Sequence, residues 1–237
     1  MKILSIDTAT QAASCAVIED NKLLGEITYN YKKQHSVILM TIVDTLLKNV
    51  NTSIDDIDCF VVSNGPGSFT GLRIGMATIK GLSQGTNKPF VGISSLDALA
   101  YNLAYTDGII CPILNALRGN VYTALYIFNG EKLEKLTEYM IISIDELFDL
   151  IKKHNKPVTF IGDGISIFKE KIENSILNVK FAPTHLNLSR AAALGELGLE
   201  KLLEGDFDDL FTSAPIYMRK SQAEREYEEK TGKDIND

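Results

Sequence analysis

The chain has 237 residues, 45% hydrophobic and 23% charged, which suits one large or two smaller globular domains and lies far from the disordered regime. Its net charge of −7 opposes a phosphate backbone, so the chain alone is a poor nucleic-acid binder and another subunit must hold any RNA. No run approaches the ~18 apolar residues of a membrane span, and Asp7 breaks the N-terminal apolar stretch before it can read as a secretory signal, so a cytoplasmic location is expected.

In chain order, KILSID (2–7) reads as a strand, SCAVIED (14–20) as a second, and KLLGEITYN (22–30) as a third after a turn at Asp20-Asn21. HSVILMTIVDTLLKN (35–49) carries apolar residues at 38, 39, 42, 43, 46 and 47, the spacing of an amphipathic helix. CFVVS (59–63) is a short buried strand. A Gly-rich turn then opens the helical pattern LRIGMATIKGLSQ (72–84), and PFVGIS (89–94) precedes a helix capped by Ser94 or Ser95.

The second half repeats this order. GIICPILNA (108–116), VYTALYIF (121–128) and KLEKLTEYM (132–140) read as strands, the last two joined at Asn129-Gly130. SIDELFDLIKK (143–153) is a helix with Ser143 and Glu146 in capping-box positions. VTFIGDG (158–164) is a strand, SIFKEKIENS (166–175) a helix, VKFAP (179–183) a strand, and residues 188–205 a long helix ended by Gly205. Two copies of βββαβαβα imply an α/β fold of two duplicated lobes, 1–106 and 107–220, followed by a charged tail, 221–237, in which disorder is expected. Cys15, Cys59 and Cys111 are widely spaced among apolar neighbours and read as buried thiols.

Asp7, Thr8 and Thr10 close the first strand and could contact a hydrated metal and nucleotide phosphates, but Ala9 stands where a phosphate loop favours glycine, and taken alone these residues read better as caps of local backbone groups. GPGSFTGLRIG (65–75) sits where phosphate loops occur but fits neither the Walker nor the dinucleotide spacing. Glycine costs roughly 0.8–1 kcal/mol inside a helix, so Gly71, Gly75, Gly81 and Gly85 call for close approach of another backbone, internal or a partner's. His35 has Leu39 four residues on, so no metal-binding histidine pair forms, and no nucleophile–base signature stands out.

ILSIDTAT at the N-terminus, GPGSFTGLRIG, the helix opening HS at 35–36, ISSLDALA, and PIYMR at 215–219 together resemble the TsaB (YeaZ) family. The resemblance covers residues 1 to about 220 and implies an actin-like ASKHA (ribonuclease H-like) fold. It implies a non-catalytic scaffold subunit for tRNA N6-threonylcarbamoyladenosine (t6A37) biosynthesis, binding the catalytic TsaD subunit, with TsaE as an ATPase. Leu39 stands where the catalytic paralogue carries the second histidine of a metal motif. No cofactor of its own is expected, ATP and a metal belonging to the partner complex; tRNA is met only through that complex.

The implied interface runs along both helices through His35, Leu39, Ile42, Leu46, Gly71, Leu72, Gly75, Met76, Thr78, Ile79 and Leu82, and the same surface could form a homodimer. Family members commonly show Asp-Ala-Arg where this chain has Asn115-Ala116-Leu117-Arg118, and Glu in place of Asn120. The competing expectation is an active ATP-dependent kinase of the actin-like superfamily, using Asp7 with a trace of an adenosine loop at Gly162-Asp163-Gly164.

Overall fold

The computed structural model describes residues 1–31 and 34–220, together with 224, 227, 230 and 231. The disorder expected of 221–237 falls mostly outside the described residues.

Strand β1 (Lys2–Asp7) pairs antiparallel with β2 (Ala13–Glu19), which pairs antiparallel with β3 (Lys22–Tyr29). Helix α1 (His35–Asn49) follows, and β4 (Cys59–Gly65) joins the other edge of β1 in parallel. Helix α2 (Phe69–Thr86) leads to β5 (Phe90–Ser94), parallel to β4, giving the order β3-β2-β1-β4-β5. Helix α3 (Ser95–Tyr101) completes the first copy.

The second copy runs β6 (Ile109–Asn115), β7 (Asn120–Thr123), β8 (Tyr126–Phe128), β9 (Leu133–Lys135) and β10 (Met140–Ser143). It continues through α4 (Ile144–Lys152), β11 (Val158–Ile161), α5 (Ile165–Ser175), β12 (Val179–Phe181) and α6 (Ala191–Leu203). Its order, β10-β7-β6-β11-β12, repeats the first sheet position for position. Two of the strands read from the sequence are each divided in two. VYTALYIF breaks at Ala124-Leu125 into β7 and β8, and KLEKLTEYM becomes β9, the hairpin partner of β8 across Asn129-Gly130, and β10, the edge partner of β7. The break follows from burial: Leu125 leaves the ladder to enter the core under α4 and α5, and its N–H donates instead to Thr137 Oγ1 at 3.0 Å.

One face of the first sheet carries α1 and α2. Leu4, Ile6, Val17, Phe60 and Val62 meet Leu39, Ile42, Val43, Leu46, Met76 and Ile79 there. All six apolar positions read from the α1 period are buried. The opposite face, with Ile3, Val61, Val91 and Ile93, is covered by Ala193, Leu194 and Leu202 of α6. α6 thus belongs to the second copy by sequence but packs on the first sheet. Its N-terminus is fixed there by Glu26, which accepts from Arg190 Nε at 2.9 Å and the Ala192 N–H at 3.0 Å, and by Ser5, which donates to the Ala191 carbonyl at 2.6 Å.

α3 reciprocates in part. Ala98 stays with the first sheet, while Leu96, Leu99 and Leu103 pack with Ile110, Leu114, Tyr122 and Tyr126 of the second. A division of the packing at 106 therefore does not hold, because each terminal helix reaches across the seam. Asp97 of α3 adds a polar tie, accepting the hydroxyls of Tyr126 and Tyr139 at 2.7 Å each. The three cysteines are unpaired and buried, and burial pushes each thiol up to about 12. Among the described residues, no helix is long and apolar enough to cross a membrane.

Candidate functional site

The turn after β1 is held from beneath by α2. Thr8 Oγ1 donates to the Gly71 carbonyl at 2.7 Å, the Ser68 N–H donates to the Ala9 carbonyl at 2.7 Å, and Ser68 Oγ caps α2 by accepting from the Gly71 N–H at 3.2 Å. The glycines are what permit this approach. A Cβ at Gly71 would lie 2.0 Å from the Thr8 carbonyl oxygen, one at Gly67 2.2 Å from that of Ala9, and one at Gly75 2.4 Å from Thr8 Oγ1. The close neighbour demanded by glycine inside a helix is, at 71 and 75, the protein's own first turn.

This corrects the expectation for the nucleotide-contact residues. Asp7 and Thr8 are 0% and 1% exposed, beneath the turn rather than on it; only Thr10 of the three lines the cleft between the lobes. Asp7 Oδ1 accepts the Ala9 N–H at 2.8 Å, while Oδ2 is buried with no hydrogen-bond partner. Burial pushes the Asp7 carboxyl up to about 6, against smaller downward pulls from the Ala9 amide and the neighbouring Ser63 hydroxyl.

The cleft itself is a volume of about 1090 Å³ lined by Thr10, His35, Phe69, Asn115, Tyr217 and Arg219, among others. His35 Nε2 meets the Thr10 carbonyl oxygen at 2.9 Å, which ties α1 to the turn. Tyr217 packs against Phe69 with centroids 4.6 Å apart and the rings tilted by 33°, and Arg73 lies 4.0 Å over the Phe69 ring while its Nε donates to Tyr217 Oη at 3.0 Å. Arg219 ties the segment after Tyr217 across the cleft by donating to the Ala116 carbonyl. Asn115 caps the tight turn at 117–119 by accepting the Leu117 N–H at 2.9 Å. Among the described residues no group of three His, Cys, Asp or Glu side chains gathers around a point that could hold a metal ion.

The interface expected along α1 and α2 divides by burial. Leu39, Ile42, Leu46, Leu72, Met76 and Ile79 are all between 0% and 5% exposed and fill the lobe's own core. Gly71 and Gly75 are occupied by the turn. Those eight cannot touch a partner without unfolding the lobe. His35, Thr78 and Leu82 are half-buried. What the two helices do present is the other side: Val37 at 70% and Met40 at 50% exposure on α1, and Arg73, Ala77, Gly81 and Gly85 on α2. A Cβ at Gly81 or Gly85 would meet nothing within 4 Å. The helical period already marks these positions, since those flanking a buried stripe must face out while the stripe itself forms the core.

A duplicated β-sheet core of this strand order, with helices on both faces and a cleft between lobes, defines the actin-like ASKHA class. Consistent with that, the chain superposes on the activator of 2-hydroxyisocaproyl-CoA dehydratase from Clostridium difficile with a TM-score of 0.55 at 9% identity, covering 86% of this chain and 97% of that one. It superposes more fully, with a TM-score of 0.81 at 20% identity over 92% of this chain and 99% of the other, on a Pseudomonas aeruginosa protein described as similar to peptidase YEAZ. Residues 22–227 match the family described as TsaD: tRNA N6-adenosine threonylcarbamoyltransferase. The chain is 34% identical over 228 residues, 96% of its length and 98% of the relative's, to the tRNA threonylcarbamoyladenosine biosynthesis protein TsaB of Bacillus subtilis strain 168. The chain belongs to the TsaB family, a paralogous branch of the TsaD-like proteins.

Proposed function

We infer that this protein is a cytoplasmic, non-catalytic subunit in the biosynthesis of threonylcarbamoyladenosine on tRNA, which binds and stabilises a TsaD-type transferase, with TsaE as a further component. One observation carries the reading. The carboxylate and hydroxyl that a metal nucleotide would need at the first turn are both buried, Asp7 against the Ala9 N–H of its own turn and Thr8 against the Gly71 carbonyl of α2, while the outer side of α1 and α2 offers apolar side chains and open glycines. A helix face with small residues lets another helix backbone approach closely, and Met is enriched at such contacts. The same face would close a homodimer in the partner's absence, since a self-complementary patch pairs about a two-fold axis. ATP and a metal belong to the partner complex in this reading, and the net charge of −7 leaves tRNA to be gripped by the partner.

Gly81→Arg tests the face, because the added side chain enters open space and leaves the fold alone. With the circular dichroism and melting of the variant unchanged, its affinity for the purified TsaD homologue of the same organism should fall at least ~10-fold, as loss of a central contact does. Unchanged affinity would place the interface elsewhere. Titration of the isolated chain with Mg²⁺-ATP provides the second arm: micromolar binding accompanied by phosphate release would replace the scaffold with an active kinase.

A further inference from the structure

Past α6 the chain turns back along α2 without regular structure. Asp208 pins it to the start of β5: its N–H donates to the Phe90 carbonyl at 3.0 Å, and its Oδ2 accepts from the Gly92 N–H at 2.6 Å. Leu210 packs into the core beneath α1 and α2, and Lys80 Nζ donates to the Ser213 carbonyl at 2.6 Å. Between those anchors Asp209 Oδ1 accepts from the Phe211 N–H at 3.0 Å, the Thr212 N–H at 2.7 Å and Thr212 Oγ1 at 2.8 Å. These bonds hold the Asp209 carboxyl below its ordinary range. The result is a fixed turn that keeps Phe211 83% exposed, with Phe207 at 51% earlier in the loop and Leu203 at 72% at the end of α6. Glu204, Asp206 and Asp209 are exposed around them, Asp206 in an ion pair with Lys201 at 3.3 Å, which leaves the patch acidic on balance.

A flexible loop would fold such rings inward; a turn tied by three hydrogen bonds holds one out. Anchoring an aromatic side chain in its bound position lowers the ordering cost of association, and aromatics dominate contact energies. The acidic surround repels phosphate-bearing surfaces, nucleic acid and anionic lipid alike, and attracts a basic one. The loop is also continuous with the outer face of α2, since Lys80, which holds it, directly precedes the open Gly81.

The geometry points to the 203–211 loop as a second docking element, in which Phe211 enters an apolar pocket rimmed by Lys or Arg side chains on the same protein that covers α1 and α2. This rests on the α1–α2 face being the partner surface. The experiment titrates the purified TsaD homologue of the same organism into wild type, Phe211→Ala, Glu204→Lys and Gly81→Arg, at two salt concentrations, with the mass of each variant alone measured by ultracentrifugation. Phe211→Ala should weaken binding at least ~10-fold. Glu204→Lys should weaken it and flatten its salt dependence, because the attraction it removes is the screened one.

If Phe211→Ala binds like wild type while Gly81→Arg fails, the loop assignment is wrong and the helix face stands. If neither variant loses affinity, both fall. A Phe211→Ala effect confined to the mass of the protein alone would make a second copy the occupant and overturn the assignment.

Discussion

Thr8 and the glycines facing it form a contact with no spare volume. Gly71→Ala places a methyl group 2.0 Å from the Thr8 carbonyl oxygen, a backbone atom that no side-chain rotation can clear, so the turn or the helix must move. Overpacking of this kind typically costs about 1–3 kcal/mol. The urea midpoint of Gly71→Ala should fall accordingly, and Gly75→Arg, which tests no contact with a partner, should fail to fold. Asp7 adds a pH term. Its carboxyl titrates near 6 in the folded chain against 3.8 unfolded, so the folded state holds the proton more tightly. Stability from this group is therefore greatest below pH 3.8, is lost as pH rises toward 6, and stays lost above. A shift of this size corresponds to about 3 kcal/mol. Asp7→Asn keeps the acceptor for the Ala9 N–H and removes the titration, so its stability relative to wild type should rise by about 2–3 kcal/mol between pH 4 and pH 7 in urea titrations. Neither effect was legible in the sequence. IDTAT announces a strand end with a carboxylate, but whether the carboxylate faces a ligand or the underside of a helix depends on how closely α2 approaches.

On α2, glycines of one spacing serve two purposes. Gly71 and Gly75 admit the turn; Gly81 and Gly85 face open space, and nothing inside the lobe requires them. Replacing each of the outer two by alanine should stabilise the helix by about 0.8–1 kcal/mol. The same changes fill the notch that a partner backbone would use, so thermal stability should rise while affinity for the TsaD homologue drops. A rise in both would show that the outer glycines have no role in association. The elements themselves were largely readable. α1 is bounded as its period indicates, α4 carries the Ser143–Glu146 capping box, and α3 is capped by Ser94. The second meander was not, because the departure of Leu125 from the ladder is settled by the α4–α5 core and not by local pattern.

Across the whole molecule the duplicated strand order was legible because turn signals and periodicity repeat at matching intervals, but the packing of the last helices was not. Asp97 illustrates the cross-lobe ties that result. It receives the Tyr126 and Tyr139 hydroxyls, the first of them on a residue 1% exposed. Burial and the adjacent carboxylate together keep both phenols protonated far above their ordinary range. Asp97→Ala strands the buried Tyr126 donor, a penalty of about 1–3 kcal/mol. The melting temperature should drop, and pairing the change with Tyr126→Phe should recover part of the loss. An additive double variant would show that the two groups do not communicate.

The helix that shields Ile3, Val61 and Val91 comes from residues 191–203. During synthesis the N-terminal sheet must therefore leave the ribosome with a greasy side bare, and it stays so until residues 191–203 have emerged. Half-made chains of this kind are prone to stick to one another. Expressed separately, 1–106 and 107–237 should each aggregate, whereas produced together they should recover a joined, soluble pair.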